Sequence, residues 1–482
     1  MLVIVSDLHL TDGTTGLRMP VGAFRVFRER LESMVYDASK RVDLTYKPLE
    51  AFDLVMLGDI FDLIRSTQWT NEEKGDPGYA RPWSDPNSPE FVAKVGAITD
   101  GIIQKNAEAL ELMREIADGK AITLPPATLD GKVDRRVSRD WRSTSRLPVK
   151  VNIYYVLGNH DWMYHLPGQG MQLVRQKIAG AMHLANPEAF FPHDPGESQK
   201  VEELFRQHSV FGRHGDIYDP FNYVKDDESN HAPLNDVKED DRNHASLGDA
   251  LVVELFNRIP VRIRAELGEQ LTPAFLSDLD EMGSVRPGVM TPVWIASLLD
   301  RHGVSEVNRE KIDEIWRDLV EQFLKLDFLD ELDKPFHIDM VDGVKFFLQL
   351  LKSLSIKKLE NWAYVVEKGM ELINIISGGS EGHYDRWAIQ EKPYQSKTAR
   401  FIVYGHTHGY TVYPLRSVQI ENKPFDQMYI NSGTWHPLHD LGHDKNQDRG
   451  FIFHKTMTYL GFYKGDERQG RTYETWSGTL DL

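Results

Sequence analysis

The sequence predicts an α/β protein. Short apolar runs rich in β-branched residues recur along it, each ends in a Gly- or Ser-led loop, and long stretches with helical spacing lie between them. The first run, Leu2-Val3-Ile4-Val5, precedes Ser6-Asp7. Leu54 to Leu57 precedes Gly58, Val151 to Leu157 precedes Gly158, and Phe401 to Tyr404 precedes Gly405. Such runs read as buried strands closed by turns. A further strand and its exit loop are expected over Met428 to Trp435, and a late strand pair around Phe451-Ile452-Phe453. In open α/β sheets, ligand sites gather at the carboxyl ends of strands.

Two insertions separate these strands, and 482 residues exceed the usual span of one core. The expected organisation is a core over 1–217, a helical insertion or lid over 218–397, and the rest of the core over 398–482. The first insertion, about 65–148, opens with turn-rich sequence (Asp76-Pro77-Gly78, Arg81-Pro82, Asp85-Pro86) and continues as helix from Pro89 to Asp118. It ends in a basic segment with Lys132, Arg135, Arg136, Arg139, Arg142 and Arg146 around Trp141. That segment reads either as a solvated loop or as a phosphate-facing surface.

The second insertion begins with an acidic loop holding Asp226, Asp227, Glu228, Glu239, Asp240 and Asp241. Ser246-Leu247-Gly248-Asp249 resembles a capping box ahead of an apolar stretch that Pro260 should end. Thr272-Pro273 marks another helix start, and 305–327 and 360–376 have helical spacing. The stretch Val344 to Leu359 is apolar with Lys345, Lys352, Lys357 and Lys358, and reads as buried helical core or as a lipid-facing lid.

Hydrophobic residues at 41% and charged residues at 27% indicate a soluble globular chain. The chain has no cysteine, which excludes disulfides and thiolate sites and fits a reducing, cytoplasmic setting; any metal must sit on oxygen and nitrogen. A net charge of −17 lacks the usual footprint of tight duplex binding. No apolar run is long enough to span a bilayer.

Five motifs carry the chemistry. They are Asp7-Leu8-His9, Gly58-Asp59-Ile60-Phe61-Asp62, Gly158-Asn159-His160-Asp161, His214-Gly215-Asp216 and Gly405-His406-Thr407-His408. Four of them follow the predicted strands. Asp7 with His9, and His406 with His408, are two apart, so each pair is expected on one face of its strand. Asp59 follows a glycine that permits a tight turn, and its two oxygens suit it to bridge two cations. Asn159 offers an amide oxygen, while the neighbouring His160 should project toward a substrate. His165, His183, His193, His208, His231 and His244 read as structural or solvated; His436, His439 and His443 follow a strand exit and also read first as structural, with support of the centre as the lesser alternative.

In order and spacing these motifs resemble the calcineurin-like metallophosphoesterases, over roughly residues 1–65, 149–216 and 398–436. The resemblance implies a four-layer α/β/β/α sandwich with a large helical insertion. It implies one metal on Asp7, His9, Asp59 and His408, and a second on Asp59, Asn159, His214 and His406. His160 would be the catalytic proton donor or transition-state stabiliser, oriented by Asp62. The helical insertion before Gly405 is similar to that of the UDP-diacylglucosamine pyrophosphate hydrolases, although this chain is about twice as long as that subgroup.

The expected activity is hydrolysis of a phosphodiester or pyrophosphate bond by in-line attack of hydroxide bridging two divalent ions. Mn²⁺ is the favoured ion, with Fe or Zn²⁺ as alternatives. Substrate classes open at this stage are nucleotides, lipid-linked phosphoesters and nucleic acids, and the oligomeric state is open too. A nuclease using Lys132 to Arg146 as a strand track is one alternative, and a non-catalytic assembly module is another.

Overall fold

The computed structural model describes residues 1–223, 243–333, 340–354, 384–442 and 450–480. The acidic loop from Asp226 to Asp241, His231, His443, the 360–376 segment and the stretch beyond Leu354 lie outside the described residues.

Fourteen strands are described. In chain order they are β1 (Leu2–Val5), β2 (Ala51–Leu57), β3 (Thr123–Leu124), β4 (Leu147–Pro148), β5 (Lys150–Val156), β6 (Val210–Gly212), β7 (Val285–Arg286), β8 (Phe401–Tyr404), β9 (Thr411–Ile420), β10 (Lys423–Asn431), β11 (Leu438–Leu441), β12 (Phe451–His454), β13 (Thr456–Phe462) and β14 (Tyr473–Thr479). The architecture is mixed α/β. A five-stranded sheet has the order β14-β13-β1-β2-β5, and a four-stranded sheet has the order β6-β8-β10-β9. In the first, β1, β2 and β5 are mutually parallel (Val3 opposite Leu54, Leu54 opposite Ile153) and β13 is antiparallel to β1. In the second, β6, β8 and β10 are parallel and β9 closes the edge as an antiparallel hairpin partner.

The alternation of side chains explains how these sheets pack. Leu2 and Ile4 of β1, Val55 and Leu57 of β2, and Tyr154 and Val156 of β5 share one buried cluster with Phe401 and Val403 of β8 and Ile430 of β10. The opposite faces of β1, β2 and β5 (Val3, Val5, Leu54, Met56, Ile153, Tyr155) bury against helices Val21–Ala38, Pro89–Lys105, Ala107–Ala117 and Gln169–Met182. Strands buried on both faces must be apolar throughout, which is why they read as continuous runs. The far face of the four-stranded sheet (Ile402, Tyr404, Tyr429) packs on Tyr218, Tyr384, Ala388 and Tyr394.

The second insertion is helical, and its apolar side chains continue the same buried cluster as the core helices. The Ser246 capping box is present, and Thr272 caps helix Pro273–Leu279. Pro260 does not end its helix. It sits in the first turn of Arg258–Leu267, where its missing N–H has no helical acceptor to lose, after a π-helical turn over Val252–Phe256. In helix Met340–Leu354, Val341, Val344, Phe347 and Leu348 are buried and Phe346 is exposed, so the described part behaves as helical core. Among the described residues no helix is long and apolar enough to cross a membrane.

Candidate metal centre

The exit loops of four strands are stitched side by side. Asp7 N donates to Gly58 O (3.0 Å), His9 N to Asp59 O (2.9 Å), Gly58 N to Val156 O (2.8 Å) and Gly405 N to His214 O (2.8 Å). Trp435 N reaches Asp7 O at 3.0 Å, which ties the β10 exit to the β1 exit. These bonds bring all the predicted ligands to the carboxyl ends of the parallel strands.

The pleat argument for the paired ligands needs correction. Asp7 and His9 lie beyond Val5, and His406 and His408 lie beyond Tyr404, so neither pair sits on a strand. All four have left-handed backbone (φ 52°, 46°, 68° and 63°), as does Asp59 (φ 54°). Left-handed backbone is unfavourable for residues with a Cβ and concentrates at functional sites. Here the loop hydrogen bonds hold it in place, and it aims the side chains inward.

Three ligand groups result. Asp7, His9 and His408 form one, Asp59, His214 and His406 a second, and His9, Asp62 and His160 a third. In the first, His9 Nε2 lies 3.0 Å from His408 Nε2, and His408 Nε2 lies 3.4 Å from Asp7 Oδ1. In the second, His214 Nε2 lies 3.2 Å from Asp59 Oδ2, and His406 Nδ1 lies 3.0 Å from Asn159 Oδ1. Asp59 Oδ2 also stands 3.7 Å from His9 Nε2, so this carboxylate faces both the first and the second group.

The histidine tautomers follow from the outer hydrogen bonds. His9 Nδ1 bonds to Asp62 Oδ2 (2.8 Å) and His214 Nδ1 to Leu57 O (3.0 Å), so each Nε2 faces the centre and can ligate there when unprotonated. His406 Nε2 bonds to Asp219 Oδ2 (3.0 Å), which leaves its Nδ1 lone pair aimed at the Asn159 oxygen. Asp219 was missed by the sequence reading, because nothing distinguishes it there from Asp216, three residues earlier. Asp62 Oδ1 takes His160 Nδ1 at 2.9 Å, so Asp62 orients His9 as well as His160.

Cations fit this arrangement. His214 Nε2 is buried without a hydrogen-bond partner despite its closeness to Asp59. Two imidazole Nε2 atoms face each other at 3.0 Å, and an imidazole lone pair faces an amide oxygen at the same distance. Lone pairs opposed in this way repel unless a proton or a cation lies between them. The donor set is oxygen and nitrogen throughout, which suits several divalent ions. Several Asp and His clusters of the centre are therefore able to hold metal.

Electrostatics agree. Burial alone would raise the Asp59 carboxyl, but His214 and His160 outweigh it and hold Asp59 well below its ordinary value. Burial opposes the charging of His214, yet Asp59 and Asp7 lift it well above its ordinary value. Asp7 is raised, chiefly by burial. Burial would lower His160, but Asp62 and Asp59 raise it. His9 and His408 are lowered by burial, so both stay neutral and able to ligate.

The glycines of the motifs are there for space. A Cβ on Gly158 would lie 2.4 Å from Asp59 Oδ1 and 2.6 Å from His214 Cδ2. One on Gly58 would meet His214 Nδ1 at 2.3 Å, and Gly58 also has φ 86°. Asp161, which closes the third motif, is not a ligand. It accepts from Gly158 N (2.6 Å), Ile60 N (2.9 Å) and the Tyr155 hydroxyl (2.7 Å), pinning the β2 and β5 exits together.

Other histidines separate clearly. His436 is buried, with ring centroids 5.1 Å from His9 and 6.4 Å from His408, so it packs beside the centre. His439 pairs instead with Glu281 of the insertion at 2.6 Å. His208 caps Leu204 O, and His183 is exposed beside Asp118.

The basic segment does not line the centre. Arg135, Arg136, Arg139, Trp141 and Arg142 are exposed, and β4 leads from them into the amino end of β5. The ligands lie at the carboxyl end of that seven-residue strand, roughly 20 Å away at the usual rise per residue. No family model and no curated protein matches this chain.

Proposed function

We propose that this protein is a dinuclear-metal phosphoesterase of the calcineurin-like type, hydrolysing a phosphodiester or pyrophosphate bond. One observation carries the reading. The Asp59 carboxylate faces two histidine-containing groups within 3.7 Å, where four strand exits meet. The packing of helices, sheet, sheet and short helices supports the four-layer α/β/β/α arrangement expected of such enzymes.

Asp7, His9, Asp59 and His408 would hold one ion, and Asp59, Asn159, His214 and His406 the other, with Mn²⁺ favoured. Bound there, a pair of divalent ions supplies an acidified water and neutralises phosphoryl charge. The protein's own part is proton delivery and order. His160 Nδ1 is held by Asp62, so its Nε2 is left for the substrate. The flanking carboxylates favour its protonated form, which suits it to give a proton to the leaving oxygen. Asp62 fixes His9 and His160 at once, so metal binding and proton delivery share one anchor.

The test is metal analysis after Mn²⁺ loading, together with hydrolysis of bis-p-nitrophenyl phosphate. Two ions per chain and metal-dependent hydrolysis are expected. A loaded protein with no hydrolysis would favour the assembly-module alternative, and a chain that takes up no ion would end the reading.

A further inference from the structure

One edge of the centre is cationic, and it belongs partly to the insertion. Arg65, three residues after Asp62, is buried; its Nε lies 3.5 Å from Asp62 Oδ2 and its Nη1 lies 2.8 Å from His436 Nε2. Its loop is fixed from the insertion side, where Asn257 Nδ2 donates to Ile64 O (2.8 Å) and Ser66 O (3.1 Å). A second segment of the insertion docks beside it. Ser284 Oγ is 3.1 Å from His436 Nε2, and β7 pairs with β11 through Asp440 opposite Arg286. Gly283 lies beside Arg65: a Cβ there would stand 3.8 Å from Arg65 Cδ, an ordinary contact.

Arg286 is half-buried at this edge. Its Nη1 donates to Gly283 O (3.2 Å) and Val285 O (2.9 Å), which folds the guanidinium back over the turn that touches Arg65. Among the described residues no carboxylate lies within 4.0 Å of it. Asp440, the acid whose field it feels most, is engaged by His454 at 2.5 Å. Asp62 is already shared by His9, His160 and Arg65. Burial and the nearby Arg65 push Arg286 down to about 9, so it remains a cation at neutral pH. Its charge bears directly on His408 and His436, and Asp7 and Asp62 act on it in turn. A half-buried guanidinium close to another guanidinium, with no acid of its own among the described residues, is costly until an anion joins it.

We propose that Arg286, backed by Arg65, is a specificity-determining residue that reads a second anionic group of the substrate, adjoining the scissile phosphate. The proposal rests on the phosphoesterase reading and narrows it. The guanidinium fork matches phosphate oxygens in pairs, which a mobile ammonium does not. The phosphoryl group under attack is served by the ligand cavity and His160, so a cation at its edge is placed for the neighbouring phosphate. Hydrolysis of such a substrate breaks one bridging P–O bond and forms one from water oxygen to phosphorus. Two phosphate esters leave, and the water proton ends on the released oxygen or in solvent.

The experiment compares Mn²⁺-loaded wild type, Arg286→Gln and Arg286→Lys on ADP-ribose, a pyrophosphate, and on bis-p-nitrophenyl phosphate, a singly charged diester. The ratio of the two kcat/KM values is the readout, because partial misfolding lowers both together. The ratio should favour the pyrophosphate in the wild type, fall on the order of 30-fold in Arg286→Gln, and recover in part in Arg286→Lys. Arg142→Gln, far from the centre, should change neither value. A second arm needs no turnover: calorimetric binding of inorganic pyrophosphate to the metal-free chain should weaken at least tenfold in Arg286→Gln. An unchanged ratio, or equal pyrophosphate binding by wild type and Arg286→Gln, overturns the proposal. Hydrolysis of neither substrate by the wild type overturns the phosphoesterase reading instead, and the binding arm then decides the anion site alone.

Discussion

Gly158→Ala tests the centre through a single methyl group. Gly158 has no left-handed backbone, so alanine meets no conformational penalty there. The added Cβ, however, would stand 2.4 Å from Asp59 Oδ1 and 2.6 Å from His214 Cδ2, where ordinary contact begins at 3.4 Å. Asp59 or the loop must therefore move by about 1 Å, and misplacements of that size cost about 100-fold in rate. Metal–ligand distances tolerate only about 0.2 Å, so the carboxylate shared by both groups loses its fit to at least one ion. Arg and Lys chemistry is untouched, and no other polar group is removed. The assay is metal content by plasma mass spectrometry alongside kcat on bis-p-nitrophenyl phosphate. The expected result is a bound-metal count below two and a turnover about 100-fold down. Gly180→Ala is the control, because a Cβ there meets nothing within 4 Å, and in helix Gln169–Met182 it should be neutral or slightly stabilising. A Gly158→Ala protein that holds two ions with wild-type turnover would refute the argument that Asp59 is shared.

Other perturbations separate the roles of neighbouring groups. His160→Ala should lower turnover by about 10²- to 10⁴-fold while both ions stay bound, since neither proposed ion uses His160; unaltered kcat would remove it from the mechanism. Asp62→Asn should lower metal affinity as well, by roughly 10- to 100-fold, because it also releases His9 Nδ1; equal metal content in the two variants would contradict the shared anchor. Asp219→Asn should weaken the site containing His406 alone, seen as one lost ion in a two-site titration. The pH dependence has a definite sign. His214 is raised above its ordinary 6.5, so in the metal-free chain its stabilisation is complete below that pH and is lost as pH rises through the raised value. Asp59 is lowered below 3.8, so its stabilisation is present above that pH and is lost as pH falls through the lowered value. Between them the metal-free pair is protonated histidine and carboxylate. Metal uptake must then displace protons from the raised His214, and affinity must drop as pH falls; calorimetry in buffers of different ionisation heat measures this, and no proton release would contradict it.

The parallel strands were readable because burial on both faces forces continuous apolar runs, and the motifs were readable because each follows such a run. The ligand groups were readable as residue types in order, yet the physical route to them was not. The i, i+2 spacing of Asp7 and His9 suggested a strand face, whereas left-handed loop backbone aims both side chains. Local sequence carries no mark of the cross-loop hydrogen bonds that hold such a backbone. The same limit hid Ser284 and Arg286, which come to this side of the centre only because the insertion folds back and pairs β7 with β11 across more than 150 residues of chain. Pro260 shows the converse case: its punctuation was read correctly as a helix boundary, but the π-helical turn before it shifts the register, so it opens a helix where it was expected to close one. Local rules thus recovered whatever the strands and caps dictate. What long-range docking dictates follows from a different cause, the need to cover the apolar helices of the insertion with the core. That docking also brings a cation to the edge of the ligand cavity, so the packing requirement and the substrate preference proposed for Arg286 have one structural origin.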